Sequence, residues 1–530
     1  MMAPVVPMAI VPFCLGVIMH LGIFIRGEWH LQAPHIVLGH VLVFTLLLVK
    51  QLVSGISTWY GVALPFVVYL CGLLGSMAVY RLFFHRLRSF PGPRLAVLSK
   101  LWHVWLCRDS KNHLVLESWR QKYGTFVRTG PSEITIFHPA GLEWLDGPQN
   151  RNARSDWYDL LHPSVQVFSR DPAIQVARRK VWDKAMSLSA VKQYYQRIKN
   201  HVLELESIIS AQNSKPIIMN DLLYRMTFNV LKDIGFGQAN EEVEDGASKL
   251  GGSLTIIGPT NPAPWILRMA FALFPGVWNI PHWFKFLEMT QGIVMKRLSS
   301  QPESVDIASF FLEDAQRKEA DMISREAVGG DCGVILLAGS TSGPSLILLF
   351  YCLARWPEHA EKIRQELRNV DYNDMAALSA LPHLTATINE SLRLYPAGPT
   401  FGSRVTGPEG LNCDGVFIPG GTKVVAPRWS TGRLEEAYEA AHEFIPERWY
   451  SKPELVKDKR AFAPFSMGRN SCGGKKVAMS QMRLAVAVLV SKYSIRFAPG
   501  TTDEMSVEND MRDQLTPLPG DLKLVFEKLE

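Results

Sequence analysis

In its first 80 residues the chain carries only three acidic or basic side chains, Arg26, Glu28 and Lys50, although the whole 530-residue sequence holds 56 Lys and Arg and 50 Asp and Glu. A stretch so poor in charge cannot form the water-facing surface of a globular domain. The remaining 450 residues have an ordinary soluble composition, so two physical regimes are joined end to end. Three apolar runs fill the first part, at 3–25, 35–49 and 58–80. A spanning helix needs about 20 apolar residues, so the first and third qualify by length and the second is short. The first is the least regular, because Pro4, Pro7, Pro12 and His20 interrupt it. No Lys or Arg precedes it, which argues against a cleaved signal peptide. None of the runs shows the polar face of an ordinary core helix. Arg81, Arg86 and Arg88 with His85 crowd after the third run, and clustered Arg marks the cytoplasmic side. This predicts a membrane anchor over 1–88 with up to three transmembrane helices, and a cytosol-facing body over 89–530.

The body opens on Phe90-Pro91-Gly92-Pro93-Arg94, a proline-rich hinge that suits neither helix nor central strand. An apolar content of 47% with no dominant residue type excludes disorder and low-complexity structure. The net charge of +6 is small and spread out, which predicts no nucleic-acid partner. Seven cysteines (14, 71, 107, 332, 352, 413 and 472) lack paired spacing, which argues against a disulfide framework and for a reducing compartment. Alternation at 124–137, with a turn at Gly130-Pro131, and turn-rich sequence at 401–425 read as short strands. From 172 to about 318 the pattern is mostly helical, with long segments at 191–209 and 222–235. The fold class is therefore mainly α with small β-sheets. Trp265, Phe271, Phe274, Trp278, Trp283, Phe284 and Phe286 concentrate between 259 and 289, either as packed core or as a greasy access region.

Chemistry is concentrated in Phe465-Ser466-Met467-Gly468-Arg469-Asn470-Ser471-Cys472-Gly473-Gly474, which leads into a helical run over 475–492. The amides and positive end of a helix stabilise a thiolate at Cys472, and Gly468 and Gly474 let backbone approach a flat ligand. Glu390 and Arg393, at i and i+3, share a helix face and can reach a third partner together. Residues 332–354 form a 23-residue run without charge, centred on Gly339-Ser340-Thr341-Ser342-Gly343-Pro344-Ser345. By length it could cross a membrane, but its centre is too small and polar for a simple span. Pro344 lacks an N–H and clashes with the carbonyl of Ser340, so the helix should open or kink there.

The Cys472 loop, the Glu390-Ser391-Leu392-Arg393 pair and Phe444-Ile445-Pro446-Glu447-Arg448-Trp449 resemble, in that order, the haem loop, Glu-x-x-Arg pair and meander of the cytochrome P-450 family. The resemblance runs from about Phe90 to the C-terminus. It implies the cytochrome P-450 fold behind N-terminal transmembrane helices, and haem b (iron protoporphyrin IX) with Cys472 as axial thiolate. It implies a structural network of Glu390, Arg393 and Arg448, and haem contacts from Phe465, Gly468, Arg469, Asn470 and Gly474. Arg179 matches the family's propionate-binding Arg. Gln175 stands one turn earlier, where Trp or His is usual, and Arg404 is a second propionate candidate. The usual Arg two residues before the cysteine is Asn470 here, with Arg469 displaced by one. Thr341 replaces the usual acid of the distal helix, and Ser342 the alcohol beside it. Proton delivery is then expected through Ser342, Thr341, water and the substrate.

The function implied is insertion of one oxygen atom of O2 into an apolar small molecule. No flavin- or dinucleotide-binding segment occurs in the sequence, so NADPH-cytochrome P-450 reductase is the implied partner, with Lys475 and Lys476 either as its contacts or as a solvated helix start. The implied location is the endoplasmic reticulum membrane. The hydrophobic N-terminus and motif style are similar to those of fungal secondary-metabolism members, the indole-alkaloid hydroxylases among them. The lost acid at Thr341 leaves a rival, a reductase-independent isomerase, dehydratase or peroxygenase. A non-catalytic haem sensor is a third reading, one that would not need the groove at 338–342.

Overall fold

The computed structural model describes residues 5–54, 59–160, 166–237, 255–277, 280–300, 304–317, 322–339, 341–500 and 505–529. Trp278 and Ser340 lie outside them. The first helix, α1 (Val5–Met19), continues as a wider turn over His20–Phe24; α2 spans Ala33–Val53, and α3 spans Tyr60–Val79 with a wider turn to Phe84. The second run, expected to be short, forms a long helix: with their flanking turns, the second and third helices are long and apolar enough to cross a membrane. The first covers 15 residues over Val5–Met19 and five more to Phe24, in keeping with its length in the sequence. The second run reads short only because Lys50 and Gln51 break its apolar pattern; the helix continues through both.

Residues α1 and α3 place in contact keep a constant offset, so these helices run parallel. A Cβ on Gly16 would stand 2.2 Å from the Tyr69 carbonyl oxygen, one on Gly72 2.2 Å from that of Phe13, and His20 bonds the Ser76 hydroxyl at 2.8 Å. Glycine is required at both crossings, the close approach typical of helices packed in lipid. In contrast, α2 runs antiparallel to α3: His40 reaches the Tyr69 hydroxyl at 3.2 Å and Phe44 packs on Phe66. The proline hinge is bound to the body: Arg128 N–H donates to the Pro91 carbonyl at 2.7 Å, and Gly92 sits so close to the Arg128 carbonyl that a Cβ would stand 2.2 Å from it.

In the body, α4 (Pro172–Ala185) is started by Pro172 and capped by Asp171, whose carboxylate accepts the Ala173 amide at 2.7 Å. Next come α5 (Leu188–Ala211) and α6 (Met219–Phe236), the latter stopped by Gly237 at φ +67°. The central helix is divided into α7 (Met322–Gly339) and α8 (Ser342–Arg355). After them stand α9 (Pro357–Glu366), α10 (Pro382–Leu394) and α11 (Lys475–Lys492). Every residue of α8 from Ser342 to Ala354 is buried, as are 12 of the 18 residues of α11, so these helices form the middle of the core. The most apolar window of 328–355 is 71% buried, against 0% and 17% for the two long N-terminal helices. It is core, not a further span.

A five-stranded sheet lies beside the helices, in the order Phe126–Gly130, Glu133–Ile136, Lys423–Val425, Arg404–Val405, Ala153–Arg154. Its last pair sets Arg154 directly opposite Arg404. All seven cysteines are free.

Candidate active site

One buried carboxylate organises the base of the site. Arg393 donates from Nε and Nη2 to both oxygens of Glu390 at 2.9 and 2.7 Å. Arg448 Nε, Trp449 Nε1 and the Ile445 amide donate to the same carboxylate, each at 2.9 Å. The side chains of Glu390, Arg393 and Arg448 are all 0% exposed. The remaining Arg393 protons go to the carbonyls of Gly432, Ala441 and Glu443, so α10 is fastened to the segment that precedes the cysteine loop.

In that loop the Cys472 amide donates to the Phe465 carbonyl at 2.7 Å and closes it into a ring. Gly468 has φ +57°, and a Cβ there would stand 2.4 Å from the Asp146 carbonyl oxygen, so only glycine fits. Gly474 stands beside the sulfur, its Cβ position 3.9 Å from Sγ. Crowding by protein pushes the Cys472 thiol up, while the Gly474 amide, Arg179, the Lys475 amide and Arg428 pull it down. Cys472 keeps accessible surface, whereas Cys107, Cys332, Cys352 and Cys413 are buried. Burial pushes the thiols of Cys332 and Cys413 up to about 12.

The candidate haem-binding cations fall into two groups. On α4, Arg179 donates to the carbonyl and, at 3.2 Å, to the hydroxyl of Ser471, beside the cysteine. Gln175, one turn earlier, donates to the Ser169 carbonyl at 2.8 Å. Arg178 points the other way and donates to Asp331 of α7 at 2.5 Å, so one helix links the cysteine loop to the central helix. The second group centres on Asp146. Arg404 donates to both its oxygens at 2.6 and 3.0 Å and to the Tyr158 hydroxyl at 2.6 Å. Ser466 donates to the same carboxylate at 2.7 Å and Asn470 at 3.1 Å, while Arg469 turns to the Asn152 carbonyl. Arg154 donates to Asn470 Oδ1 at 3.4 Å and lies over the Tyr158 ring. Burial first, then the Arg404 and Arg469 charges, bring the Arg154 guanidinium down to about 10, against the opposing pull of Tyr158 and Asp146.

Arg154, Asp146 and Tyr158 were not among the residues picked from the sequence. Arg154 lies in a two-residue strand and Asp146 ends a six-residue helix, Gly141–Asp146, so neither element is long enough to show a periodicity that would mark it. With Asn470 where an arginine is usual, Arg154 brings a cation to that place from the sheet. An accessible thiol at a helix start, glycines on either side, and several guanidinium groups around a single carboxylate make a donor set that suits a flat, dianionic, iron-bearing ligand.

Distally, α7 ends at Gly339, whose Cβ would stand 2.4 Å from Leu231, and α8 begins at Ser342. The Thr341 carbonyl accepts the Ser345 hydroxyl at 3.0 Å, and Pro344 is the third residue of the new helix, where its missing N–H costs nothing. The family model for cytochrome P450 matches residues 91–524.

The chain belongs to the cytochrome P450 family.

Among relatives of this P450, tryprostatin B 6-hydroxylase of Aspergillus fumigatus is 32% identical over 92% of the chain and 90% of its own length. Cytochrome P450 monooxygenase FCK2 of Fusarium pseudograminearum is 33% identical, over 97% of the chain and 96% of its own length. Cytochrome P450 monooxygenase sthD of Phaeosphaeria nodorum is 33% identical, over 87% and 99%. Two solved structures share the fold. A cyanobacterial P450 with retinoic acid bound has a TM-score of 0.66 at 20% identity, covering 78% of this chain and 94% of its own. The haem domain of cytochrome P450DA has a TM-score of 0.65 at 18% identity, covering 79% and 94%. The P450 is therefore a monooxygenase, similar to fungal enzymes of this family, with a cysteine-ligated haem as cofactor. Enzymes of this class act on small molecules and draw electrons from a redox partner. The sensor reading falls with that assignment.

Proposed function

We propose that this P450 is anchored by three spans in the endoplasmic reticulum membrane, with its body in the cytosol, and hydroxylates an apolar, indole-bearing secondary metabolite with electrons from NADPH-cytochrome P450 reductase. The observation that carries the substrate class is the similarity to tryprostatin B 6-hydroxylase over most of both chains. The test is mass spectrometry of products from microsomes supplied with reductase, NADPH and a panel of precursors that includes tryprostatin B. An oxygenated product formed only from non-indole members would reject the substrate class.

In this reading Cys472 holds the haem, and Arg179, Arg404 and Arg154 face its propionates. Phe465, Gly468, Arg469, Asn470 and Gly474 shape the loop, and Gln175 holds the start of α4 through Ser169. The bound haem supplies reductive activation of dioxygen. Ser342 offers the only hydroxyl at the family's alcohol position, and Thr341 cannot ionise as the usual acid would. A positioned proton donor contributes about 10²–10⁴-fold in rate. Ser342→Ala is therefore expected to bind substrate normally but lose coupling by about 100-fold, its NADPH consumption appearing as hydrogen peroxide. Fully coupled turnover in that variant would assign the proton to another residue or to the substrate.

Three spans are favoured by contacts made at the body. Glu28, in the link between α1 and α2, takes two bonds from Arg170, at 2.8 and 3.1 Å, and His30 meets Asp156 at 2.9 Å. That link therefore lies on the body's side of the membrane, as does the end of α3. Since α1 runs parallel to α3 at the same depth, it crosses if α3 crosses. Glycosylation acceptor tags at the N-terminus and after Ser54 are both expected to be modified, and one between Arg26 and His30 to stay unmodified. An unmodified N-terminal tag would limit the anchor to two spans.

A further inference from the structure

Away from the haem-binding loop, His359 of α9, His383 of α10 and Glu447 of the turn Pro446–Trp449 turn their ligand atoms towards one point, all within 4.8 Å of one another. His359 Nδ1 and His383 Nε2 are 3.2 Å apart, and Glu447 Oε1 is 4.0 Å from His359 Nδ1. Two nitrogens each about 2.0–2.1 Å from a tetrahedral zinc ion stand about 3.3 Å apart, so the imidazoles already have the spacing of a shared metal. The carboxylate needs to close by roughly 0.7 Å on the His359 edge and by up to about 1.5 Å on the His383 edge to complete the same tetrahedron. A second layer is in place: with Nε2 on the metal, His383 Nδ1–H donates to the Tyr450 hydroxyl at 3.1 Å, which fixes the ring and its tautomer. Both histidines are buried, while the Glu447 side chain keeps 14% exposure, so the cluster opens to solvent on the carboxylate side only. The site is empty, and the Lys362 ammonium, on a side chain 47% exposed, lies against Glu447 Oε1.

We propose that His359, His383 and Glu447 form a two-histidine, one-carboxylate site for zinc, with water as fourth ligand and the Lys362 ammonium as the cation that it displaces. Imidazole and carboxylate donors at this spacing suit a borderline divalent ion, and hard magnesium gains nothing from the two nitrogens. The ligands come from three separate elements, and Glu447 immediately precedes Arg448 of the buried network. Zinc therefore clips α9, α10 and the meander together beneath the haem. An ion that binds the native state and not the unfolded one raises the unfolding midpoint.

The test uses tag-free, haem-loaded full-length protein, stripped with a chelator and titrated with zinc chloride against a chromophoric chelator. One equivalent is expected to bind at micromolar affinity or tighter and to raise the unfolding temperature, with no effect from magnesium. His383→Ala is expected to bind at least about 100-fold more weakly, because a lost ligand costs no less than a lost outer-shell partner. Glu447→Gln, at the accessible rim, repeats the test if His383→Ala fails to load haem. Lys362→Met removes the competing cation and is expected to tighten binding about 2- to 5-fold. Absence of a one-equivalent site, or equal affinity in the wild type, His383→Ala and Glu447→Gln, would overturn the proposal.

Discussion

Cys472→Ala is expected to abolish the far red-shifted Soret band of the reduced, carbon-monoxide-bound protein, while Cys332→Ala and Cys413→Ala retain it in full. That band requires an axial thiolate, and the thiolate rather than the thiol is the ligand. Cys472 is the cysteine of the body that keeps accessible surface, in a ring closed by its own amide on Phe465, with the Gly474 and Lys475 amides turned to its sulfur. Cys332 and Cys413 are buried, and burial pushes both thiols up to about 12. Their truncation removes only a small apolar group from the core, a loss of packing and not of a ligand. Absorbance of dithionite-reduced protein under carbon monoxide, normalised to protein concentration, checks all three. A normal band in Cys472→Ala would move the ligand elsewhere.

The parts legible in sequence were those with a local spacing rule. Glu390 and Arg393 sit one helical turn apart, and the cysteine loop is a contiguous run of glycines before a helix. Pro344 announced a break, and the helix does divide between Gly339 and Ser342, although Ser340 itself lies outside the described residues. Charge counting was weaker. It ended the second apolar run at Lys50, yet a lysine near a helix end can reach the membrane surface along its own stem, and α2 continues to Val53. The uncharged run at 332–354 was open to two readings, because a helix buried on all sides in a protein core has the same composition as one buried in lipid. What no local pattern could supply was long-range pairing. Asp146 meets Arg404 across 258 residues and Asn470 across 324, and Arg154 reaches them from a strand of two residues. Glu28, one of three charges in the first 80 residues, likewise has its partner, Arg170, 142 residues away.

The buried base supports a prediction of comparable size. Glu390→Ala is expected to yield little haem-loaded protein, because one carboxylate is the counter-ion shared by two guanidinium groups that have no access to water. With it removed, Arg393 still has the carbonyls of Gly432, Ala441 and Glu443, and Arg448 those of Glu439 and Leu455. Those dipoles satisfy some protons but supply no counter-charge. Trp449 Nε1 and the Ile445 amide lose their acceptor at the same time. Breaking a buried ion pair by deleting one partner costs about 3–5 kcal/mol. Against a total stability of about 5–15 kcal/mol, that is enough to unfold a marginal domain. Glu390→Gln keeps an acceptor oxygen without the charge and is expected to fall between the wild type and Glu390→Ala. Arg393→Ala leaves Arg448 to neutralise Glu390 and is expected to be milder than Glu390→Ala, since the charges that remain still balance. The ratio of haem to protein and the unfolding midpoint of each variant check this order. Wild-type haem content and midpoint in Glu390→Ala would mean that the fold beneath the haem stands on apolar packing alone.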